Sequence, residues 1–116
     1  MSVMHEMSIA LNILEIVKEE SIEQRVERVT EIRLAIGEIS GVARQSLEFC
    51  FSIASKGTVA DGAELVFENI PFRAECLACG SIFRVRDYKI SCPDCGCKEI
   101  RTVSGTELFI RDIEVE

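Results

Sequence analysis

Four cysteines in two closely spaced pairs are the residues of this chain best suited to chemistry. Cys76 and Cys79 belong to one C-x2-C-G motif, and Cys92 and Cys95 belong to a second one. Two intervening residues let both sulfurs of a pair point into one tight turn, and the glycine that follows accepts a backbone conformation that other residues resist. Four thiolates arranged tetrahedrally suit Zn(II), or iron in a rubredoxin-like site. The spacing therefore predicts one tetrathiolate metal site.

Disulfides or buried free thiols are the alternative for these cysteines, and the rest of the sequence does not favour them. Disulfides persist in oxidising compartments, whereas Met1 is followed by neither a basic segment nor an apolar signal region. No stretch of the chain approaches the length needed to cross a bilayer. We therefore expect a cytoplasmic protein, away from membranes, whose paired cysteines hold a metal.

The charge of the chain argues against binding to nucleic acid. Its 116 residues carry a formal net charge of −7. Residues 72–104, which contain the cysteine pairs, include six basic and four acidic side chains, and the remainder includes seven basic and sixteen acidic ones. A surface of this sign repels phosphates, and no dense basic stripe is present. A zinc-ribbon adaptor or nucleic-acid-associated module and a rubredoxin-like electron carrier stay as alternative classes.

Hydrophobic periodicity predicts two helices and three strands outside the cysteine segment. Apolar residues recur at helical spacing over residues 7–17, where Leu11 is placed on the apolar side, and again over residues 43–54. Alternation over residues 32–36 predicts one strand, and the composition of residues 65–70 and 108–115 predicts two more.

These elements predict an α+β fold with an inserted metal module. The expected core is a small mixed three-stranded sheet covered by two helices, with a rubredoxin-like zinc ribbon projecting from it. Residues 1–71 and 105–116 would form the α/β domain, and residues 72–104 would form the zinc-ribbon domain. If the first two strands are parallel, the helix between them makes a right-handed crossover.

The only histidine, His5, is a second candidate for metal binding. A lone histidine is more often a solvated surface group than a ligand. Its position favours the ligand role, because a flexible segment near a chain end can fold backbone nitrogens around a metal. Imidazole and deprotonated amides together form a planar, nitrogen-rich set that suits Ni(II) or Cu(II). The residues alone leave both possibilities open.

Three motifs occur in a fixed order: Met4-His5-Glu6-Met7-Ser8, the run from Ile36 to Val42, and the two C-x2-C-G pairs. In this order they resemble the HypA/HybF family of nickel metallochaperones for hydrogenase maturation. The stretch from Gly57 to Pro71 is similar to that family as well. The resemblance therefore covers nearly the whole chain from Met4 onward.

The resemblance implies two metal sites with separate roles. Ni(II), as transferred cargo, would bind the imidazole of His5 together with backbone nitrogens of Glu6 and Met4, and the carboxylate of Glu6 would tune this site. A structural Zn(II) would be held by the four paired cysteines, Cys76, Cys79, Cys92 and Cys95. Family members begin at the methionine of this motif, whereas Met1-Ser2-Val3 precede it here.

The resemblance also implies partners. They are the GTPase HypB and the large subunit of a [NiFe] hydrogenase, with urease maturation as a further use, and we expect a monomer or a weak homodimer. The residues themselves argue against an enzyme, because the chain offers no Ser-His-Asp or Cys-His constellation and no phosphate-binding G-x4-G-K-S/T loop. Four thiolates also leave zinc no open position for catalysis.

Two further cysteines are expected to play no part in metal binding. Cys50 lies on the apolar face of the predicted second helix and is interpreted as a small core residue. Cys97 lies two residues beyond Cys95, outside the C-x2-C spacing, so we expect it to be a bystander of the zinc site.

Overall fold

The computed structural model describes the backbone from Val3 to Glu116 and the side chains from His5 onward. Met1 and Ser2, which precede the predicted nickel motif, lie outside the described residues. The elements are α1 (Val3–Glu23), β1 (Val29–Gly37), α2 (Arg44–Ala54), β2 (Glu64–Ile70), β3 (Arg73–Cys76), β4 (Ile82–Arg84), β5 (Ile100–Ser104) and β6 (Leu108–Val115). Two helices and two three-stranded sheets confirm the predicted α+β class.

The three strands that the sequence predicts outside the cysteine segment form one sheet. Its strand order is β2-β1-β6, so β1 lies in its centre. The amide of Glu38, just after β1, donates to the carbonyl of Ile70 at the end of β2 at 2.8 Å. Both strands thus end at the same edge, as parallel neighbours do. The amide of Glu116, just after β6, donates to the carbonyl of Arg28, just before β1. The amide of Gly37, at the end of β1, donates to the carbonyl of Glu107, just before β6. This is the pattern of antiparallel neighbours. The sheet is therefore mixed, and α2 lies in the connection between the parallel pair.

Helix α1 is longer than periodicity predicts. We expected residues 7–17, yet the helix spans Val3–Glu23 and includes His5, so the segment we expected to be flexible is helical. Glu6 occupies a fully buried position, whereas Leu11, which we placed on the apolar side, is 48% exposed. A carboxylate at a buried helical position interrupts the apolar pattern, which explains why the pattern misses the first turn.

Helix α2 confirms the predicted second helix and packs against α1. It buries Leu47, Cys50 and Phe51, so Cys50 is a core residue, as expected. Neither α1 nor α2 is long and apolar enough to cross a membrane. The core that these helices share with the sheet includes Ala10, Ile13, Leu14, Val17, Val29, Ile32 and Leu34.

The chain divides into two compact units. The first comprises Met1–Leu34, Gly41–Glu68 and Phe109–Glu116, and the second comprises Ala35–Ser40 and Asn69–Leu108. The second unit therefore combines the cysteine module with the end of β1 and the loop that follows it. The assignment of residues 1–71 and 105–116 to nickel and of residues 72–104 to zinc stays a prediction.

The second unit contains a small antiparallel sheet with β3 between β4 and β5. Ala74 in β3 lies opposite Phe83 on one side and Thr102 on the other. Cys76 is the last residue of β3 and lies opposite Ile100. The strand pairing therefore fixes the position of the first cysteine of the metal motif.

A close approach between two glycines shapes the same unit. A Cβ placed on Gly37 would lie 2.0 Å from the carbonyl oxygen of Gly105. That oxygen also accepts a hydrogen bond from the amide of Ile39 at 2.8 Å. Because the two backbones touch, residue 37 has no room for a side chain.

Candidate metal centre

Each cysteine pair lies in a tight turn that its own backbone closes. The amide of Gly80 donates to the carbonyl of Cys76 at 2.9 Å, and the amide of Gly96 donates to the carbonyl of Cys92 at 2.8 Å. The two glycines have φ values of 79° and 77°, in the left-handed region that other residues rarely adopt. This geometry explains why a glycine follows each pair.

The four paired sulfurs converge on one point. The Sγ atoms of Cys76 and Cys95 are 3.5 Å apart, and those of Cys79 and Cys92 are 3.6 Å apart. All four lie within 4.8 Å of one another. Tetrahedral Zn(II) with Zn–S bonds of about 2.3 Å separates its sulfurs by roughly 3.8 Å. The donor set therefore fits zinc in number, chemistry and spacing.

The acidity of two of these thiols shows how the cluster depends on a cation. The hydroxyl and amide of Ser81 lower the pKa of Cys79 to about 6. The amide of Cys97 lowers the pKa of Cys95, but the neighbouring sulfurs, Cys76 first, outweigh it and raise that pKa to about 12. Thiols this close cannot all ionise unless a positive charge compensates them, and a bound divalent metal supplies that charge.

Cys97 contributes to the second turn through its backbone. Its carbonyl accepts a hydrogen bond from the amide of Cys92 at 2.8 Å, and its Sγ accepts one from the amide of Glu99 at 3.5 Å. Among the described residues, the group of sulfurs close enough to share a metal consists of the four paired cysteines.

The predicted nickel motif lies in the first unit, at the start of α1. The side chain of His5 is 51% exposed, and its Nδ1 lies 3.5 Å from Oε2 of Glu6. Met4 lies in the first turn of the helix, where backbone N–H groups have no acceptor within the helix. The structure therefore places an accessible imidazole in the same helical turn as the backbone nitrogens with which we grouped it.

The carboxylate of Glu6 has a role that the sequence did not indicate. It is fully buried, and Oε2 accepts a hydrogen bond from the amide of Ala43 at 3.2 Å. Burial raises the pKa of Glu6, but hydrogen bonds from Ala43 and His5 outweigh this, and the net pKa is lowered. Within the described part of the chain, Oε1 has no hydrogen-bond partner. Glu6 is thus a buried anion between His5 and the segment before α2.

Three hydrogen bonds of the second unit were not predicted from the sequence. Glu38 accepts hydrogen bonds from the amide of Phe72 at 2.7 Å and from the guanidinium of Arg84 at 3.2 Å. The hydroxyl of Ser81 donates to Asp94 at 2.5 Å. The partners are far apart in the chain, so no local pattern indicates them, although the position of Ser81 beside a cysteine motif is a hint.

The sequence matches a family model over residues 4–115, described as hydrogenase/urease nickel incorporation, metallochaperone, hypA. The hydrogenase maturation factor HypA of Geobacter sulfurreducens is 46% identical over 113 residues, which cover 97% of this chain and 100% of that protein. The factor of the same name from Chlorobaculum parvum is 42% identical over the same shares of both chains.

Solved structures are similar to this chain as well, and two of them are HypA structures determined in solution. A solution structure of a HypA protein has a TM-score of 0.76 at 20% identity and covers 97% of both chains. The solution structure of the Ni metallochaperone HypA from Helicobacter pylori has a TM-score of 0.68 at 19% identity, covering 95% of this chain and 96% of the other. At such identities the likeness shows the fold alone.

Proposed function

Because the chain belongs to the HypA family of hydrogenase and urease nickel-incorporation metallochaperones, we propose that it captures Ni(II) and delivers it to a maturing hydrogenase. The family match over residues 4–115 is the observation that carries this proposal. Members of this family are maturation factors and not enzymes, so nickel is their cargo and not a catalytic cofactor.

The proposed nickel site uses the imidazole of His5 and backbone nitrogens of Met4 and Glu6. The exposure of His5 supports this assignment, because a delivery site must be open to both donor and acceptor. The buried carboxylate of Glu6 lies beside one ring nitrogen. A carboxylate in that position orients a histidine ring.

The proposed structural zinc is held by Cys76, Cys79, Cys92 and Cys95. The sulfur spacing supports this assignment, and a closed shell of four thiolates suits a structural ion. When bound, zinc supplies the positive charge that lets all four thiols ionise, and it crosslinks the two turns. In this assignment, residues 1–71 and 105–116 form the nickel-binding domain, and residues 72–104 form the zinc-ribbon domain.

The family role is nickel incorporation into hydrogenase or urease. We further propose that the GTPase HypB and the large subunit of a [NiFe] hydrogenase are the partners of this chain. We also propose that the chain acts as a monomer or a weak homodimer. We also propose that it works in the cytoplasm, because paired free thiols persist in a reducing compartment.

Metal analysis combined with nickel titration tests the assignment of the two sites. His5→Ala should abolish specific nickel binding and leave one zinc ion per chain. Asn12→Ala is the matched control, because Asn12 is an exposed residue of the same helix. Cys76→Ala should lose the zinc. Nickel affinity unchanged by His5→Ala would refute the proposed nickel site.

A version of the protein that starts at Met4 tests whether a terminal amine takes part. The family match begins at Met4, and three residues precede it here. Nickel binding by the Met4 version alone would assign one ligand to the amine of that residue. Equal binding by both versions would assign the site to the imidazole and internal amides.

A further inference from the structure

We propose that Ser81 and Asp94 form a clasp between the two cysteine turns that slows the loss of zinc. The inference rests on the zinc part of the proposed function and adds two residues that the cysteine spacing does not assign. Ser81 follows the first turn, two residues after Cys79, and Asp94 lies inside the second turn, between Cys92 and Cys95.

Ser81 is attached to the first turn and reaches the second. Its hydroxyl donates to Oδ2 of Asp94 at 2.5 Å, within the range for a hydroxyl that donates to a carboxylate. The hydroxyl oxygen of Ser81 also lies 3.4 Å from Sγ of Cys79, whose thiol donates to it. The carbonyl of Ser81 accepts a hydrogen bond from the amide of Cys76 at 2.8 Å. The backbone bond from Cys76 therefore anchors Ser81 to the first turn, with its hydroxyl oxygen next to the sulfur of Cys79.

Asp94 is attached to the second turn in a similar way. Its amide donates to Sγ of Cys92 at 3.4 Å. The contacts thus run from Cys79 through Ser81 and Asp94 to Cys92. The sulfurs at the two ends of this path are 3.6 Å apart, which makes them one of the close pairs in the cluster. The clasp therefore links two proposed zinc ligands by a route that does not pass through the metal.

The second turn needs such a restraint, because little regular structure holds it. Residues 85–99 contain neither helix nor strand. Within this segment Asp87 and Tyr88 have φ values of 53° and 60°, a left-handed conformation that residues with a Cβ resist. The entropy of a long irregular loop favours separation of the second turn from the first. A hydrogen bond to a charged carboxylate opposes that separation.

The clasp lies next to a thiolate that a competing ligand would attack first. Cys76 and Cys92 are buried, whereas Cys79 and Cys95 are exposed. A chelator or a proton reaches an exposed thiolate first. Because Ser81 lies against the exposed Cys79, loss of the clasp would loosen a ligand that solvent already reaches.

The test measures how fast the zinc-loaded full chain gives up zinc to excess 4-(2-pyridylazo)resorcinol. Ser81→Ala and Asp94→Ala, each of which removes one partner of the bond, should accelerate release about tenfold, the lower end of the range for groups that support metal ligands. Ser91→Ala and Asp87→Asn are the controls. Both residues are exposed and lie in the irregular segment 85–99, as Asp94 does.

Combining the variants separates a shared bond from two independent effects. If Ser81 and Asp94 act through one bond, the double variant releases zinc no faster than either single variant. Ser81→Thr, which retains the hydroxyl, should keep the slow rate. Release at the wild-type rate by both single variants would overturn the clasp, as would multiplied acceleration in the double variant.

Two further readouts keep the result interpretable. Far-UV circular dichroism checks that the helices remain, and Asp94→Ala tests the same bond from its other end if Ser81→Ala fails to fold. A wild-type chain that binds no zinc would refute the zinc part of the proposed function. Wild-type protein that holds zinc, with Asp94→Ala releasing it at the same rate, would refute the clasp alone.

Discussion

The carboxylate of Glu6 in α1 accepts a hydrogen bond from the amide of Ala43, the residue that precedes α2, at 3.2 Å. Glu6 is fully buried, so this bond ties the beginnings of the two helices together. The proposed nickel histidine, His5, is the residue before Glu6, and its ring lies beside the same carboxylate. The family motif therefore contains a structural residue next to its proposed metal ligand.

Glu6→Gln should weaken the acid sensitivity of the fold. The net pKa of Glu6 is lowered from its ordinary value of 4.5. Its ionised form therefore stabilises the fold above the unfolded-state pKa, and this stabilisation is lost as the pH falls through the lower folded-state pKa. Glutamine cannot ionise and removes this contribution. Urea unfolding midpoints between about pH 7 and about pH 3 should fall less in the variant than in wild type.

Glu19→Gln is the control for this experiment, because Glu19 is an exposed acid on the same helix. We expect it to retain the wild-type acid sensitivity. All versions of the protein contain the same cysteines, so the effect of cysteine protonation on the midpoint cancels when the pH-dependent falls of the midpoint are compared. An identical fall of the midpoint in wild type and Glu6→Gln would contradict the role assigned to the Glu6 carboxylate.

Glu38→Ala should expose the amide of Phe72 to exchange with solvent. Glu38 accepts that amide at 2.7 Å, and this bond, followed by Arg84, lowers the pKa of the carboxyl. Without this acceptor, Phe72, which precedes β3, loses its hydrogen bond to the loop after β1. Native-state hydrogen exchange followed by NMR should show faster exchange at Phe72.

Glu75→Ala is the matched control within the same unit, because Glu75 pairs with Arg101 on a neighbouring strand. It should leave the exchange rate of Phe72 unchanged. Arg84→Ala should have a smaller effect than Glu38→Ala, because the amide keeps its acceptor. An unaltered Phe72 rate in Glu38→Ala would show that the amide is protected by other contacts.

The sequence predicts what depends on apolar periodicity and cysteine spacing. Leu47, Cys50 and Phe51 repeat at helical intervals, and their burial in α2 follows from that pattern. The tight turn at each cysteine pair follows from the C-x2-C-G spacing, because each turn is closed by its own backbone. These features are local, so one stretch of sequence determines each of them.

The features that the sequence did not predict depend on contacts between distant residues. Glu6 belongs to the buried side of α1 because a distant amide compensates its charge, and a charged residue is otherwise interpreted as exposed. Helix α1 ends near Arg25, which has a left-handed φ of 56°. Glycine is the usual residue with this conformation at the end of a helix. The Ser81–Asp94 bond likewise forms only once the two turns are adjacent.

Gly37→Ala should destabilise the fold more than Gly62→Ala does. A Cβ at residue 37 would meet the carbonyl oxygen of Gly105 at 2.0 Å, so the backbones would have to separate. At Gly62 no atom lies within 4 Å of an added Cβ, and the penalty is that of a left-handed φ of 80°, about 1–2 kcal/mol. Urea unfolding of both variants measures the difference, and equal losses would contradict the close approach at Gly37.

Removal of zinc should unfold the cysteine unit locally. Its sheet has three short strands, β3 to β5, and such a small sheet buries too little apolar surface to be stable without a crosslink. The helices α1 and α2 belong to the other unit, whose core includes no proposed zinc ligand among the described residues. Chelation of zinc should therefore abolish amide protection in β3 to β5 and preserve it in both helices.

Hydrogen exchange of the full chain before and after chelation measures this difference. Re-addition of zinc should restore protection in β3 to β5, whereas magnesium should not, because four thiolates bind a soft metal and magnesium prefers oxygen ligands. Loss of protection in α1 and α2 together with the strands would show that the two units unfold as one. Unchanged protection everywhere would show that the small sheet is stable without its metal, and the structural role of zinc would then be wrong.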